Sequence, residues 1–414
     1  MKKLIALVLA LCMVFALCAC GTKSETPDNT AKANVKIGVI CLHDENSSYD
    51  RNFIDAAKEV FKEMGLTEDQ YMFKTGVGED QSCYDAAAEL ADAGCTAVFS
   101  DSYGHESYMI QAAKDFPKVQ FVSATADRAH TEKLANFHNA FADIYMGRYL
   151  AGVAAGLKLN AMIADGKFTA DEAKIGYVGA KPYAEVISGY TSFYLGVRSV
   201  CPTVTMQVVY TNEWYDETLE KEAANTLINN GCKLISEHAD SMGAPTACET
   251  AGVPNVSYNL SFKDACPNTY VIGSRINWRP YFKLLVQSLT DGTELPTDFC
   301  GTLTEDAVQV LEINDAVAAE GTAAKLEEVK AKLEDGSLKV FDTSTFTVTV
   351  DDSYNNNVAT VDADGHLTGY MADVDNDGTF VGETEAVSGG YFHESEYRSA
   401  PYFYAIIDGI TVLG

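Results

Sequence analysis

Short apolar runs alternate along the chain with longer segments whose apolar residues recur every three or four positions. Val35–Cys41 is a strand-length run, and Asn52–Met64 follows with Phe53, Ala56, Ala57, Val60 and Phe61 on one helical side. Tyr71–Thr75 predicts a second strand and Tyr84–Ala93 a helix, with Gly94 placed as its C-terminal cap. Thr96–Ser100 predicts a third strand, Ser107–Phe116 a helix stopped by Pro117, and Val119–Ala124 a fourth strand. Asn136–Leu157 begins strand-like and becomes a helix, with Ile144, Tyr145, Leu150, Val153, Ala154 and Leu157 in one apolar stripe. Gly147, Gly152 and Gly156 each cost a helix about 1 kcal/mol relative to alanine. Three in one helix predict close approach of another backbone.

The alternation then repeats. Strands are expected at Lys174–Gly179, Val204–Tyr210, Lys233–Glu237, Asn255–Tyr258 and Tyr270–Gly273. Helices are expected at Ala184–Val200, Glu217–Asn229, Ala244–Ala251 and Pro280–Thr290. Two similar open α/β lobes follow, each a mostly parallel sheet covered on both faces. Asn136–Leu157 reads as the first crossing between them and Pro280–Thr290 as a return. The expected division is an N-terminal lobe at 34–142, completed by parts of 277–414, and a C-terminal lobe at 143–276. In the tail, Gln309–Ile313 and Thr345–Val350 read as strands and Ala323–Leu333 as a charged helix. Residues 351–390 are rich in Asp, Asn and Gly and read as a solvated acidic hairpin. Asp373–Gly378 has the start of a calcium loop, but Thr384 stands where that loop needs a bidentate Glu.

The termini and the charge add a location. Lys2 and Lys3, the apolar stretch Leu4–Ala16, and small residues before Cys20 resemble a bacterial lipoprotein signal, residues 1–20, with Cys20 as the lipidated residue. Residues 21–33 are polar and read as a flexible tether. The expected place is outside the cytoplasm, held to the cell membrane by lipid. With 59 acidic against 30 basic residues, the net charge of −29 argues against nucleic-acid binding. Past Cys20, the cysteines at 41, 83, 95, 201, 232, 248, 266 and 300 form no C-x-x-C, so neither a zinc nor a redox motif is indicated.

Catalytic signatures are missing: there is no H-E-x-x-H, G-x-S-x-G or phosphate-binding G-x-x-x-x-G-K-[ST]. The expectation is a binder with no cofactor, no metal and no catalytic residue. Polar and aromatic residues instead recur where strands end. His43, Asp44, Ser47, Ser48, Tyr49 and Asp50 follow the first strand, Asp101, Ser102, Tyr103 and Gly104 the third, and Asp127 the fourth. In the second half, Trp214 and Asp216, His238 and Asp240, Asn259, and Ser274, Asn277 and Trp278 occupy the same edge. Ligands of open α/β sheets sit beyond the carboxyl ends of the strands. Two facing lobes make that edge a cleft, lined by aromatics and carboxylates and suited to a flat, hydrogen-bonding small molecule.

Several stretches together resemble one family. Asn136–Leu157 is similar to the N-x-x-x-x-F…YLAGxxAA block of the basic membrane lipoprotein family, the solute-binding proteins of nucleoside-type ABC importers. Ile175–Gly179 with Gly189-Tyr190 and Gly196, Asp115-Phe116-Pro117 with Phe121-Val122, and Thr211–Thr218 resemble further family blocks. Ser274–Phe282 and Ser399–Phe403 resemble a subgroup with a W-x-x-Y-Y/F signature. The resemblance implies a type I periplasmic binding protein: two Rossmann-like lobes, three hinge crossings and a central cleft. It also implies an ABC permease and its ATPase as partners. Tyr49 stands at the Phe that stacks on a purine, and Trp214 at a second stacking Phe in the other lobe. Asn259 replaces an aspartate that holds ribose hydroxyls, and Asn277 and Trp278 replace a lysine, which weakens ribose recognition and leaves the base. The expected ligand contacts are Tyr49, Asp50, Ser102, Tyr103, Asp127, Trp214, Asp240, Asn259 and Trp278, and the expected ligand is a free nucleobase such as adenine, or a nucleoside. The alternatives are a sugar binder of the same fold, a ligand-sensing surface receptor and an extracellular nucleoside hydrolase.

Overall fold

The computed structural model describes residues 34–351, 358–374 and 383–413. The signal, the tether with Cys20, and Asp375–Gly378 of the acidic stretch lie outside them.

The first sheet is built as the alternation predicts. β1 (Ile37–Ile40), β2 (Tyr71–Lys74), β3 (Ala97–Ser100), β4 (Gln120–Ala124) and β5 (Phe137–Ala142) run parallel. Between them lie α1 (Ser48–Glu63), α2 (Gln81–Asp92), α3 (Glu106–Asp115) and the single turn α4 (Ala129–Glu132). α1 and α2 start on side-chain caps: Ser47 Oγ accepts from Asp50 N, and Asp80 accepts from Ser82 N. β1 is buried along its whole length, as a parallel strand covered on both faces must be.

The chain leaves this lobe at Asp143. α5 (Ile144–Ala164) packs along α6 (Ala184–Val200), and the close approach expected of the glycines is there. A Cβ at Gly152 would collide with Phe193 O, one at Gly196 with Tyr149 O, and one at Gly156 with Val197 O. The second sheet holds β6 (Lys174–Gly179), β7 (Thr205–Tyr210), β8 (Leu234–His238), β9 (Asn255–Tyr258) and β10 (Tyr270–Ile276), with α7 (Glu217–Asn229) and α8 (Gly243–Ala251) as crossovers. The chain crosses back through Trp278 into α9 (Arg279–Asp291), which packs on α1, with Phe282 against Phe61 at 5.6 Å. β11 (Asp298–Gly301) adds a parallel strand to the first sheet beside β5. A third crossing then leads to β12 (Val308–Val310), antiparallel to β10. The sheet orders are β11-β5-β4-β3-β1-β2 and β12-β10-β9-β8-β6-β7, the latter extended at β7 by the last strand of the tail, Ile410–Leu413. The fold is a type I periplasmic binding protein, two Rossmann-like lobes with hinge crossings between them.

After α10 (Thr322–Glu334) the tail departs from expectation in two places. Thr345 closes a 3-10 turn and Phe346–Val350 forms no strand, because its N–H groups go to different partners. Thr347 N bonds Asp408 Oδ1 and Val348 N bonds Gly365 O, leaving one bridge to Ile407. β13 (Ala359–Val361) and β14 (Leu367–Ala372) pair as a hairpin with β15 (Thr384–Glu385) alongside. Its inner face is not solvated: Leu367, Tyr370 and Ala372 are buried. β16 (Val387–Ser388) and β17 (Tyr391–Phe392) form a second small ribbon. The tail then touches both lobes, Arg398 and Ser399 reaching Asp127 and Asp298 in the first and Glu394 bonding Ser188 in the second. It ends in β18 (Ile410–Leu413), parallel to β7 at the edge of the second sheet. No helix of the described residues is long and apolar enough to cross a membrane. All eight described cysteines are free, and seven are buried.

Candidate ligand-binding site

The carboxyl ends of the two sheets face each other across a closed cleft. Ser48 N donates to Asp240 O at 2.8 Å, Lys181 Nζ lies 3.6 Å from Glu79 Oε2, and the Tyr103 and Tyr183 rings meet at 5.4 Å. The space between the lobes, partly open to solvent, is about 330 Å3. Leu42, Tyr49, Ser102, Tyr103 and Thr125 line it from the first lobe, and Glu185, Trp214, His238 and Asp240 from the second.

Each wall residue is held by its element. Tyr49, in the first turn of α1, meets Phe53 edge-on at 4.9 Å and donates its hydroxyl to Asp101 O at 2.7 Å. Ser102 donates to Glu79 Oε1 at 2.7 Å. Burial opposes ionisation of Glu79, but the Ser102 hydroxyl, Lys181 and the Gly104 N–H hold its carboxyl below the usual range. Thr125 adopts φ +59°, an uncommon conformation for a β-branched residue, of the kind that collects at functional sites. Trp214 meets Tyr183 at 5.8 Å, Lys181 lies over its ring, and its Nε1–H is buried without a protein acceptor. Burial first, then Arg148, pushes His238 down to about 4, so its imidazole is neutral where Nε2 meets Glu185 at 3.2 Å. Asp240 is pushed well above the carboxylate range by burial, then by Asp50, Glu220 and Glu185. A ligand donor beside it would draw it back toward the ionised form.

The expected contacts divide by position. Tyr49, Ser102, Tyr103, Trp214 and Asp240 line this cavity. Asp127 lines an adjoining chamber of about 310 Å3 that shares Tyr103, Thr125 and Glu185 with it. There Arg398 Nη1 and Tyr103 Oη both lie 3.4 Å from Asp127 Oδ2. Asp50, Asn259 and Trp278 line neither chamber. Asp50 is fully buried beneath the floor, accepting from His43 N at 2.7 Å and Ser47 Oγ at 2.5 Å as part of the α1 cap. Its neighbours Cys41 and Asp101 bring donor atoms to within 4.8 Å, a spacing that could hold a metal ion. Burial, then Asp50, raise Asp101 well above the carboxylate range, however, so the pair keeps one proton and one negative charge. Asn259 turns the chain after β9 at φ +66°. Trp278 stacks on Phe53 at 4.3 Å inside the core of the hinge.

Residues 42–337 match the family described as ABC transporter substrate-binding protein, PnrA-like. The chain belongs to this family. As a PnrA-like substrate-binding protein it captures a small molecule for an ABC permease on the extracytoplasmic side, and the family is one of solute binders rather than enzymes. A purine-binding protein of Brucella abortus is 27% identical over 314 residues, 75% of this chain and 84% of its own. A Haloferax volcanii protein, named as a candidate ABC transporter glucose-binding protein, is 32% identical over 231 residues, 54% of this chain and 55% of its own. Among solved structures, an ABC transporter solute-binding protein of Aeropyrum pernix superposes with a TM-score of 0.63 at 14% identity, over 78% of this chain and 96% of that one. That likeness bears on the fold alone.

Leu42, Thr125, Glu185 and Arg398 were not expected. Glu185 had a usable signal, since it follows β6 closely, as Trp214 follows β7. Arg398 had none, because it arrives from the tail, beyond the residues that match the PnrA-like family.

Proposed function

We propose that the protein captures a purine-type ligand, stacked between Tyr49 and Trp214 and hydrogen-bonded by Asp240 and Ser102, with Tyr103 at its edge. One observation carries the reading: two aromatic side chains from opposite lobes line a single closed cavity beside a buried carboxyl. Base–aromatic stacking contributes about 1–3 kcal/mol per ring, so two rings supply roughly 2–6 kcal/mol. A micromolar site needs about 8 kcal/mol, and hydrogen bonds to ring N–H or exocyclic amine groups make up the difference. Asp127 faces any substituent that projects into the adjoining chamber, while Asp50, Asn259 and Trp278 shape the site from behind. The name of the Brucella relative points the same way. A lipid on Cys20 would hold the protein beside the permease and its ATPase.

A sugar is the second reading, favoured by the name given to the Haloferax relative and by the fact that aromatics with carboxylates also grip pyranoses. A thermal-shift panel of nucleobases, nucleosides and hexoses, followed by calorimetry on the hits, separates the two. Stabilisation by nucleobases or nucleosides and not by hexoses is expected. Stabilisation by glucose alone would overturn the purine reading. Release of free base from a nucleoside at a rate abolished in Asp127→Ala would overturn the reading as a binder.

A further inference from the structure

Glu220 sits in the first turns of α7, fully buried, and touches neither chamber. No lysine or arginine pairs with it among the described residues. Its carboxyl accepts from groups of two separate loops, the Ser241 hydroxyl among them. Oε1 accepts from Asp216 N and from Ser241 N, both at 3.2 Å, and Oε2 accepts from Ser241 N at 3.2 Å. Asp216 belongs to the loop after β7 that carries Trp214, and Ser241 to the loop after β8 that carries Asp240. The two loops are also joined directly, Asp240 N donating to Trp214 O at 3.1 Å.

Helix capping accounts for the bond to Asp216 N, the N-cap residue of α7, but not for those to Ser241 on a separate loop. Asp216 already caps α7, its side chain accepting from Leu219 N at 2.9 Å. A buried carboxyl without a cation costs stability compared with an apolar residue. Its position is fixed by packing, because α8 begins directly over it: a Cβ at Gly243 would stand 2.9 Å from Glu220 Cβ. The first lobe repeats the device. Buried Glu106 on α3 accepts from Asp127 N at 3.0 Å and Arg128 N at 2.7 Å, fixing the loop that presents Asp127.

We infer that Glu220 is a positioning residue for ligand capture, tying the loops of Trp214 and Asp240 into one rigid wall. The inference rests on the reading that this wall contacts the ligand. It has two readouts, one of which needs no ligand. The first is calorimetry with adenine as the probe. The second is acrylamide quenching of tryptophan fluorescence in the ligand-free protein. Trp278 is fully buried in the core, so changes in quenching report Trp214. Glu220→Ala is expected to lower adenine affinity by about tenfold or more, the scale of one lost stacking platform, and to raise quenching. Glu220→Gln keeps an acceptor for Ser241 N–H and is expected to restore wild-type quenching and most of the affinity. If Glu220→Ala does not fold, Glu220→Asp, which withdraws the carboxylate by one methylene, is expected to show the same two losses. Wild-type quenching and affinity in the Ala or Asp variant would overturn the inference, as would a Gln variant no better than Ala. If adenine fails to bind even the wild-type protein, adenine is excluded as the ligand, and the quenching comparison still decides the role of Glu220.

Discussion

Trp214 and Trp278 are the only tryptophans in the chain, and the fold uses them in opposite ways. Trp214 lines the cavity with an unmatched N–H, while Trp278 is spent on Phe53 and Phe99 in the hinge core. Trp214→Ala is therefore expected to weaken adenine binding by at least about tenfold while leaving the melting temperature nearly unchanged. Trp278→Ala should do the reverse, costing about 3–5 kcal/mol of stability with affinity preserved in whatever fraction stays folded. Calorimetry and thermal melts on the two variants decide between these outcomes. The contrast also shows what was legible in the chain. The rule that site residues follow parallel strands placed Tyr49, Ser102, Tyr103, Trp214 and Asp240 at the cavity. It placed Asp50 and Trp278 there as well, because position after a strand says nothing about whether a side chain turns toward the cleft or toward the core. That choice is made by tertiary neighbours such as Ser47, His43 and Phe53, and by no local pattern.

Elements with strong periodicity were legible almost to the residue, α6, α7, β6 and β9 among them. Their signals are local: caps, glycine stops and apolar faces. The tail was not, because its strands are two to six residues long and the last of them finds its partner, β7, far away in sequence. Thr345–Val350 has the alternation of a strand, with Phe346 and Val348 turned inward, but no neighbour offers it a ladder. The glycines of α5 permit a sharper test. Alanine normally raises helix stability over glycine by about 1 kcal/mol. At Gly152 the new methyl would meet the carbonyl of Phe193 on α6, a backbone atom that cannot swing aside. Gly152→Ala is accordingly expected to lose about 1–3 kcal/mol, read as a lower midpoint in urea unfolding. Gly166→Ala, just past the end of the same helix, meets no atom within 4 Å and should show only the strain of its φ of +69°.

At the scale of the molecule, Tyr49 and Trp214 belong to different lobes, so stacking on both requires closure and gives the ligand a preference for the closed state. Solution scattering should show a smaller radius of gyration when adenine is added, and an unchanged profile at saturation would remove the two-sided stack. Stability should also depend on pH in a defined direction. Burial raises Glu220 and Glu394 to about 7, and raises Glu106 and Glu237, also chiefly by burial, to about 8. The folded chain therefore holds more protons than the unfolded chain above the ordinary glutamate range. The stabilisation is complete below about pH 4.3 and fades as pH rises through 7 and 8. His238 acts oppositely, but only below its ordinary value of about 6.5. Melting temperatures should thus fall between pH 6.5 and 8.5, and Glu237→Gln should flatten that fall. One feature bears on how the chain reaches this state at all. β18 completes the second sheet by pairing Ile410 with Met206, a contact closed only after about 200 intervening residues have been arranged. Such long-range pairing slows folding. A chain made from its N-terminus can finish the first five strands of one lobe early, yet it leaves the outer edge of β7 open until its last residues arrive. The final strand thus acts as a timer, and a chain stalled before it would carry an open strand edge, the feature by which unfinished proteins aggregate.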